Sequence, residues 1–211
     1  MWLTHSRQDT DALGGLDYAQ HEDRELATLA AAGHEAAFRE LLSRYERPVF
    51  SLIYRMVRDR TLAEDLAQEA FIRAFNAIGT YKTSYKFRNW IFKIANNHTI
   101  DYLRKRKLDT ISIDGSPHAT TADEVSQSQL VLESKDENPH EFVENRELGG
   151  QIEEAIGELR EEYRVVILLR HVEGYAYDEI ADIMDLPLGT VKTYLHRARA
   201  ELKKRLSYLV S

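Results

Sequence analysis

Apolar positions recur along two long blocks of the chain at steps of three and four residues, the spacing that gathers them on one face of a helix. Leu26, Leu29 and Ala30 form the first set, with Asp23 placed as an N-cap and Gly33 as the stop. Ala37, Phe38, Leu41, Leu42 and Tyr45 begin a stripe that continues past Pro48 through Val49, Leu52, Ile53 and Met56. Two helices, or one kinked near the proline, satisfy it. Thr61 is placed to cap a helix through Leu62, Leu66, Ala70 and Phe75 that ends near Gly79, and Phe87, Trp90, Ile91, Ile94, Ala95 and Tyr102 mark the next. The helical period then lapses and returns at Leu148, Ile152, Ile156 and Leu159, followed by Val165, Val166, Leu168 and Leu169 up to a break at Gly174. Tyr177 to Met184, a turn at Asp185 and Leu186, and a long helix from about Pro187 complete the pattern, with Val191, Leu195, Ala198, Leu202 and Leu206 facing inward.

These elements predict an all-α fold of two small helical domains, residues 23–108 and 148–211, joined by a flexible acidic linker over 109–147. Residues 1–22 have no sustained period and contain Gly14 and Gly15, so a mobile extension is expected there. Cysteine is absent, which excludes disulfides and cysteine-ligated metals and fits a reducing cytoplasm. No apolar run approaches the roughly 20 residues of a membrane span, so no membrane insertion is expected.

The formal net charge of −7 argues against a nucleic-acid partner until it is divided along the chain. Residues 109–150 hold ten acids against Lys135 and Arg146, whereas residues 81–107 hold eight bases against Asp101. The acidity therefore belongs to the connector. Within the basic stretch, Lys82, Lys86, Arg88, Lys93 and Arg104 alternate with Tyr81, Tyr85, Phe87 and Phe92 and with the amides Asn89, Asn96 and Asn97. Cations for phosphates, aromatics for stacking and amides for base edges suit unpaired nucleic acid. The periodicity of Trp90, Ile91 and Ile94 assigns those three to the core instead.

A second basic surface lies on the last helix, where Lys192, Thr193, His196, Arg197 and Lys203 face outward behind a tight turn. That arrangement is a helix-turn-helix, whose second helix enters the major groove. His196 alone on an arginine-rich face suits a phosphate or a base better than a metal. Asp65 and Glu69 share a helix face, which admits a metal or an acid/base pair. They lack a histidine at ligand spacing or a glycine-rich phosphate loop, so a solvated or docking face is the preferred reading, with no cofactor and no enzymatic activity expected.

Two blocks together resemble a family. AEDLAQEAFIRAF (63–75) and FRNWIFKIANNHTIDYLRKRK (87–107) are similar to the second conserved region of bacterial sigma factors, and YAYDEIADIMDLPLGTVKTYLHRARAEL (175–202) to the fourth. With only these regions and a short linker, the chain resembles the extracytoplasmic-function type. The resemblance implies a factor that binds core RNA polymerase and directs initiation by recognising the −35 duplex and melting the −10 element. It implies that Asp65, Gln68, Glu69, Phe71 and Ile72 dock on the β′ clamp helices, with the β flap as a further polymerase contact. Tyr81, Lys82, Tyr85, Lys86, Phe87 and Arg88, with Asn89, Lys93, Asn96, Asn97 and Arg104, are then expected at the −10 DNA. Thr190, Lys192, Thr193, Tyr194, His196, Arg197 and Arg199 are expected at the −35 DNA, and an anti-sigma factor is an expected partner.

Three positions depart from the family pattern: Tyr194 stands where arginine is frequent, Arg160 where proline is common, and His34 where an aspartate usually follows the glycine. The alternative from the same residues is a stand-alone helix-turn-helix regulator, which would bind a palindrome as a dimer.

Overall fold

The computed structural model describes residues 17–114 and 139–207, and among these it is helical with no strand. Its α-helices are α1 (Asp23–Ala31), α2 (Glu35–Val57), α3 (Arg60–Ala77), α4 (Phe87–Asp114), α5 (Pro139–Gly157), α6 (Glu161–Ile167), α7 (Tyr177–Met184) and α8 (Leu188–Arg205). Residues 1–16 of the expected extension and 115–138 of the expected linker lie outside the described residues. Helical backbone enters the 109–147 interval from both sides.

The boundaries follow local chemistry. Gly33 ends α1 at φ 95°, a conformation that costs a side-chain-bearing residue strain, and its neighbour's amide closes the turn by donating from His34 N to Leu29 O at 3.0 Å. Pro48 neither splits nor ends α2; the missing N–H costs one ladder bond within a helix whose buried stripe of Leu41, Val49, Leu52, Ile53 and Met56 holds it together. The cap of α3 is Asp59 rather than Thr61, since the Asp59 carboxylate accepts from Leu62 N at 3.0 Å and the helix begins at Arg60.

Asp23 caps nothing either. It sits inside the first turn of α1, where its carboxylate takes Arg44 Nη1 at 2.9 Å and the Tyr45 hydroxyl. Arg44 also donates to the carbonyls of Tyr18, Ala19 and His21, so residues 17–22 are tied down on α2 although the sequence pattern assigns them to a mobile extension. One guanidinium with five donors satisfies several acceptors that no hydrophobic period reveals.

The second half builds its core from Leu159, Val165, Val166, Leu168, Leu169, Ile180, Ile183, Val191, Leu195 and Ala198. After α6 the helix widens into a π turn over Leu168–Val172, and Asp185 at φ 56° makes the tight turn between α7 and α8. The Glu179 carboxylate accepts from Ala176 N at 3.0 Å and starts α7.

The two small helical domains expected from the sequence are both present, and their buried residues join in one continuous core. α7 packs along α4, and α5 and α6 pack on α2. Phe92, expected among the exposed aromatics of the basic stripe, is fully buried against the ring of Tyr175, centroids 5.3 Å apart and edge to face. Arg164 bolts the same seam: it donates to Met56 O in the first half and to Gly157 O and Leu159 O in the second. Burial lowers the pKa of its guanidinium, and among the described residues its hydrogen bonds go to these three carbonyls, at or just beyond helix ends, rather than to a carboxylate.

Candidate nucleic-acid interface

Three surfaces carry the residues singled out by the sequence. On α3, Asp65 and Gln68 are exposed, Glu69 accepts from Arg73 Nε at 3.1 Å, and Ile72 is 55% exposed. Phe71 does not join them: it is buried in the domain core, one helical step from the outward face. Phe75, assigned to the apolar stripe by spacing, is instead 46% exposed, with its ring edge-on to Phe38 at 5.0 Å. The exposed apolar pair on this face is thus Ile72 and Phe75.

The loop before α4 and the helix itself form the second surface. Tyr81 is half-buried; its hydroxyl donates to Tyr85 O at 2.7 Å, and its ring meets Phe87 and Trp90 at 5.5 and 5.6 Å. Phe87 is buried between this cluster and Tyr45. These rings therefore brace the loop, while Tyr85, Lys82 and Lys86 stand exposed on it. Asn97 and Arg104 are exposed farther along α4, but Asn96 is buried and its Oδ1 has no hydrogen-bond partner among the described residues, as is true of Asn89 Oδ1.

Three cations of this surface are already engaged by the second half. Lys86 Nζ lies 2.8 Å from Glu179 Oε1, Lys93 Nζ 3.2 Å from Asp185 Oδ1, and Arg88 Nη2 2.8 Å from Glu173 O and 3.3 Å from its carboxylate. The Arg88 guanidinium also lies over the Tyr175 ring at 4.4 Å. The bond from Lys86, followed by the Ala176 amide and Asn89, outweighs desolvation and holds the Glu179 carboxyl below the usual carboxylate range. For Glu173 burial is the larger influence and raises the carboxyl, against the pull of Arg88. Periodicity could not have found these three acids, because their partners are 85 to 93 residues away in the chain.

The third surface is α8. Lys192, His196 and Arg197 are exposed and make no ion pair or hydrogen bond with a described residue. Thr193 Oγ1 turns back to Gly189 O at 2.9 Å, Thr190 is half-buried, and Tyr194 packs edge-on against Tyr163 at 5.4 Å. Arg199 bridges toward α7 and the π turn, with Nη2 3.3 Å from both the Tyr177 hydroxyl and His171 Nε2. Burial, then Arg199 and Arg170, lowers the pKa of the His171 imidazole, which favours the neutral ring that can accept this bond.

Among the described residues no cluster of metal-ligating side chains exists, and no helix is long and apolar enough to cross a membrane.

The Sigma-70 region 2 family matches residues 41–108, and the Sigma-70, region 4 family matches residues 149–202. ECF RNA polymerase sigma factor SigW of Bacillus subtilis is 38% identical over 174 residues, covering 82% of this chain and 91% of its own. The RNA polymerase sigma-H factor of Pseudomonas aeruginosa is 32% identical, over 90% of this chain and 97% of its own. In fold the chain is similar to CnrH, solved with the cytosolic domain of CnrY (TM-score 0.61, 23% identity, 88% of this chain and 97% of that one). It is also similar to RpoE of Bartonella quintana, solved with the anti-sigma factor NepR (TM-score 0.62, 21% identity, 81% and 96%). A helix-turn-helix alone is common to many regulators, but region 2 followed by region 4, at this identity along nearly the whole of such relatives, is not: the chain belongs to the extracytoplasmic-function sigma factors of bacterial RNA polymerase.

Proposed function

We propose that this promoter-directing sigma factor divides its work among three surfaces. The α3 face, with Asp65, Gln68, Glu69 and the exposed Ile72 and Phe75, docks on core polymerase. Tyr85, Lys82, Lys86, Arg88, Lys93, Asn97 and Arg104 hold the unpaired −10 strand, while Tyr81 and Phe87 brace their loop from behind. Lys192, Thr193, His196 and Arg197 enter the major groove at the −35 element, with Arg199, tied to Tyr177 and His171, directed at the phosphates.

The observation that carries this reading is the outer face of α8, where Lys192, His196 and Arg197 stand exposed on a helix-turn-helix and make no ion pair or hydrogen bond with a described residue. Such a face is poised for a polyanion and is not used for folding. The two DNA contacts are each weak, and joining them in one chain raises the local concentration of one at its element once the other is bound. Extruding a base costs a few kcal/mol, and stacking on an exposed aromatic such as Tyr85 offsets part of it. A partner that covers the α3 face would silence the factor, and an anti-sigma protein of the kind solved with the Bartonella quintana RpoE is proposed for that role.

The test is reconstitution: core polymerase with this chain should select promoters from a random library and initiate on them, whereas core polymerase alone should not. Footprinting of duplex palindromes by the free chain, with no effect on polymerase, would favour the stand-alone regulator instead.

A further inference from the structure

Leu188, the first residue of α8, is 41% exposed, whereas Leu186, two residues earlier, packs on the core. A single exposed leucine is ordinary on a protein surface, so its position rather than its exposure carries the weight. Steps of four along a helix share a face, which puts Leu188 in line with Lys192 and His196, both exposed. Residues 188–200 contain no acid, so this stripe of α8 holds nothing that repels a phosphate backbone. Gly189 follows within the first turn, although glycine is a poor helix former. Its φ is not in the left-handed region that favours glycine, and a Cβ placed there would find open space. The fold makes no use of the missing side chain, but a duplex laid against the first turn of α8 gains room to approach.

We infer that Leu188 is a specificity-determining residue of the −35 contact and that it reads the C5-methyl group of a thymine. This role rests on the placement of the α8 face in the major groove proposed above. In that geometry the N-terminal residues of the second helix reach the base edges, and Leu188 is the first of them. Its isobutyl group has neither donor nor acceptor, so it cannot choose among bases by hydrogen bonding. The apolar feature that base pairs present in the major groove is the thymine methyl. Contact between the two takes apolar surface of both out of water, whereas another base at that position leaves the leucine against polar edges. One helical turn rises about 5.4 Å, so this thymine lies within about two base pairs of the pair met by Lys192. The preference is hydrophobic and therefore holds at salt concentrations that weaken the cation contacts around it.

Promoters selected by core polymerase with the full chain supply the probe. Each thymine of the −35 element is replaced in turn by deoxyuridine, which removes the methyl and keeps every hydrogen-bonding group, and the affinity of the holoenzyme is measured by competition. At one thymine the native chain should lose about fourfold, the equivalent of one methyl group left in water. Leu188→Ala should lose at least that factor on the thymine promoter and nothing further on deoxyuridine. Leu188→Met keeps an apolar arm and should retain the methyl dependence. The ratio between thymine and deoxyuridine should stay constant as salt is raised, even while overall affinity falls. Absence of any methyl-sensitive thymine overturns the inference. So does a deoxyuridine penalty that persists unchanged in Leu188→Ala, which would assign the methyl to another side chain, or a lowered denaturation midpoint in that variant, which would make Leu188 part of the fold. The placement of α8 is tested separately by Lys192→Ala/Arg197→Ala. If that double variant keeps full affinity for the promoter, the −35 assignment fails; if it loses affinity while Leu188→Ala keeps the deoxyuridine penalty, only the role of Leu188 fails.

Discussion

The basic faces of α4 and α8 have similar composition and opposite availability. Lys86 just before α4, and Arg88 and Lys93 on it, meet carboxylates of the other half; on α8, Lys192, His196 and Arg197 make no ion pair or hydrogen bond with a described residue. The difference does not lie in charge density, since both helices are rich in cations. It lies in what the tertiary fold brings opposite each one. A row of lysines and arginines states only that a polyanion is attractive, and a protein's own carboxylates meet that description as well as phosphate does.

The largest effect expected is at the apolar seam that makes the comparison possible. Phe92→Ala empties a fully buried ring site facing Tyr175 and should cost about 3 to 5 kcal/mol in chemical denaturation. A loss under about 1 kcal/mol would mean that the halves are not packed there in solution. Arg164→Ala should come next, at about 1 to 3 kcal/mol, because carbonyls at the ends of α2 and α5 lose their donor. Arg164→Lys should rescue little of it, since an ammonium lacks the planar fork that spans them.

On the open face, Arg197→Ala should weaken −35 duplex binding by about 1 to 3 kcal/mol with relaxed selectivity at one base pair, read by binding assays across a mutated site. A uniform loss at all sequences would make it a phosphate contact. On the covered face, Tyr85→Ala and Asn97→Ala should leave stability and polymerase affinity unchanged yet reduce open complex on duplex promoters, with recovery on a template already mismatched at the −10 element. Stacking of a base on Tyr85 is worth roughly 1 to 3 kcal/mol, which sets the size of that defect. Equal defects on both templates would leave Tyr85 as a binding contact that does not drive melting.

The smallest effect separates, by pH, two of the acids that pair with the α4 basic stretch. Glu173, raised by burial, contributes to the closed fold most fully below its unfolded pKa and loses that contribution as pH rises through its folded value. Glu179, lowered chiefly by Lys86, contributes above its unfolded pKa and loses it as pH falls through the depressed value. At neutral pH, Glu173→Gln should therefore leave the chemical-denaturation midpoint unchanged or slightly raised, and Glu179→Gln should lower it. The opposite order would show that Arg88 outweighs burial at Glu173.

Periodicity alone determined most of the local structure. The 3.6-residue repeat places α1 to α4, the part of α5 from Leu148 on, α6 to α8, the tight turn at Asp185 and the inward set Val191, Leu195 and Ala198, because amphipathic helices declare themselves over a few turns. The motifs in their order determined the family, and the outward cations of α8 followed from the same repeat. Tertiary structure decided what depends on partners distant in sequence. Phe92 and Asn96 sit at positions that spacing leaves ambiguous, and burial against the second half and the helix core settles them. Phe71 and Phe75 lie four residues apart, yet one is buried and the other exposed, because neighbouring helices cover only part of α3. Asp23 serves Arg44 and Tyr45 rather than a helix end, and Arg164 joins α2 to α5. A hydrophobic repeat encodes which face is buried, but not which polar group or which other half it will meet, and that is fixed only when the chain has closed on itself.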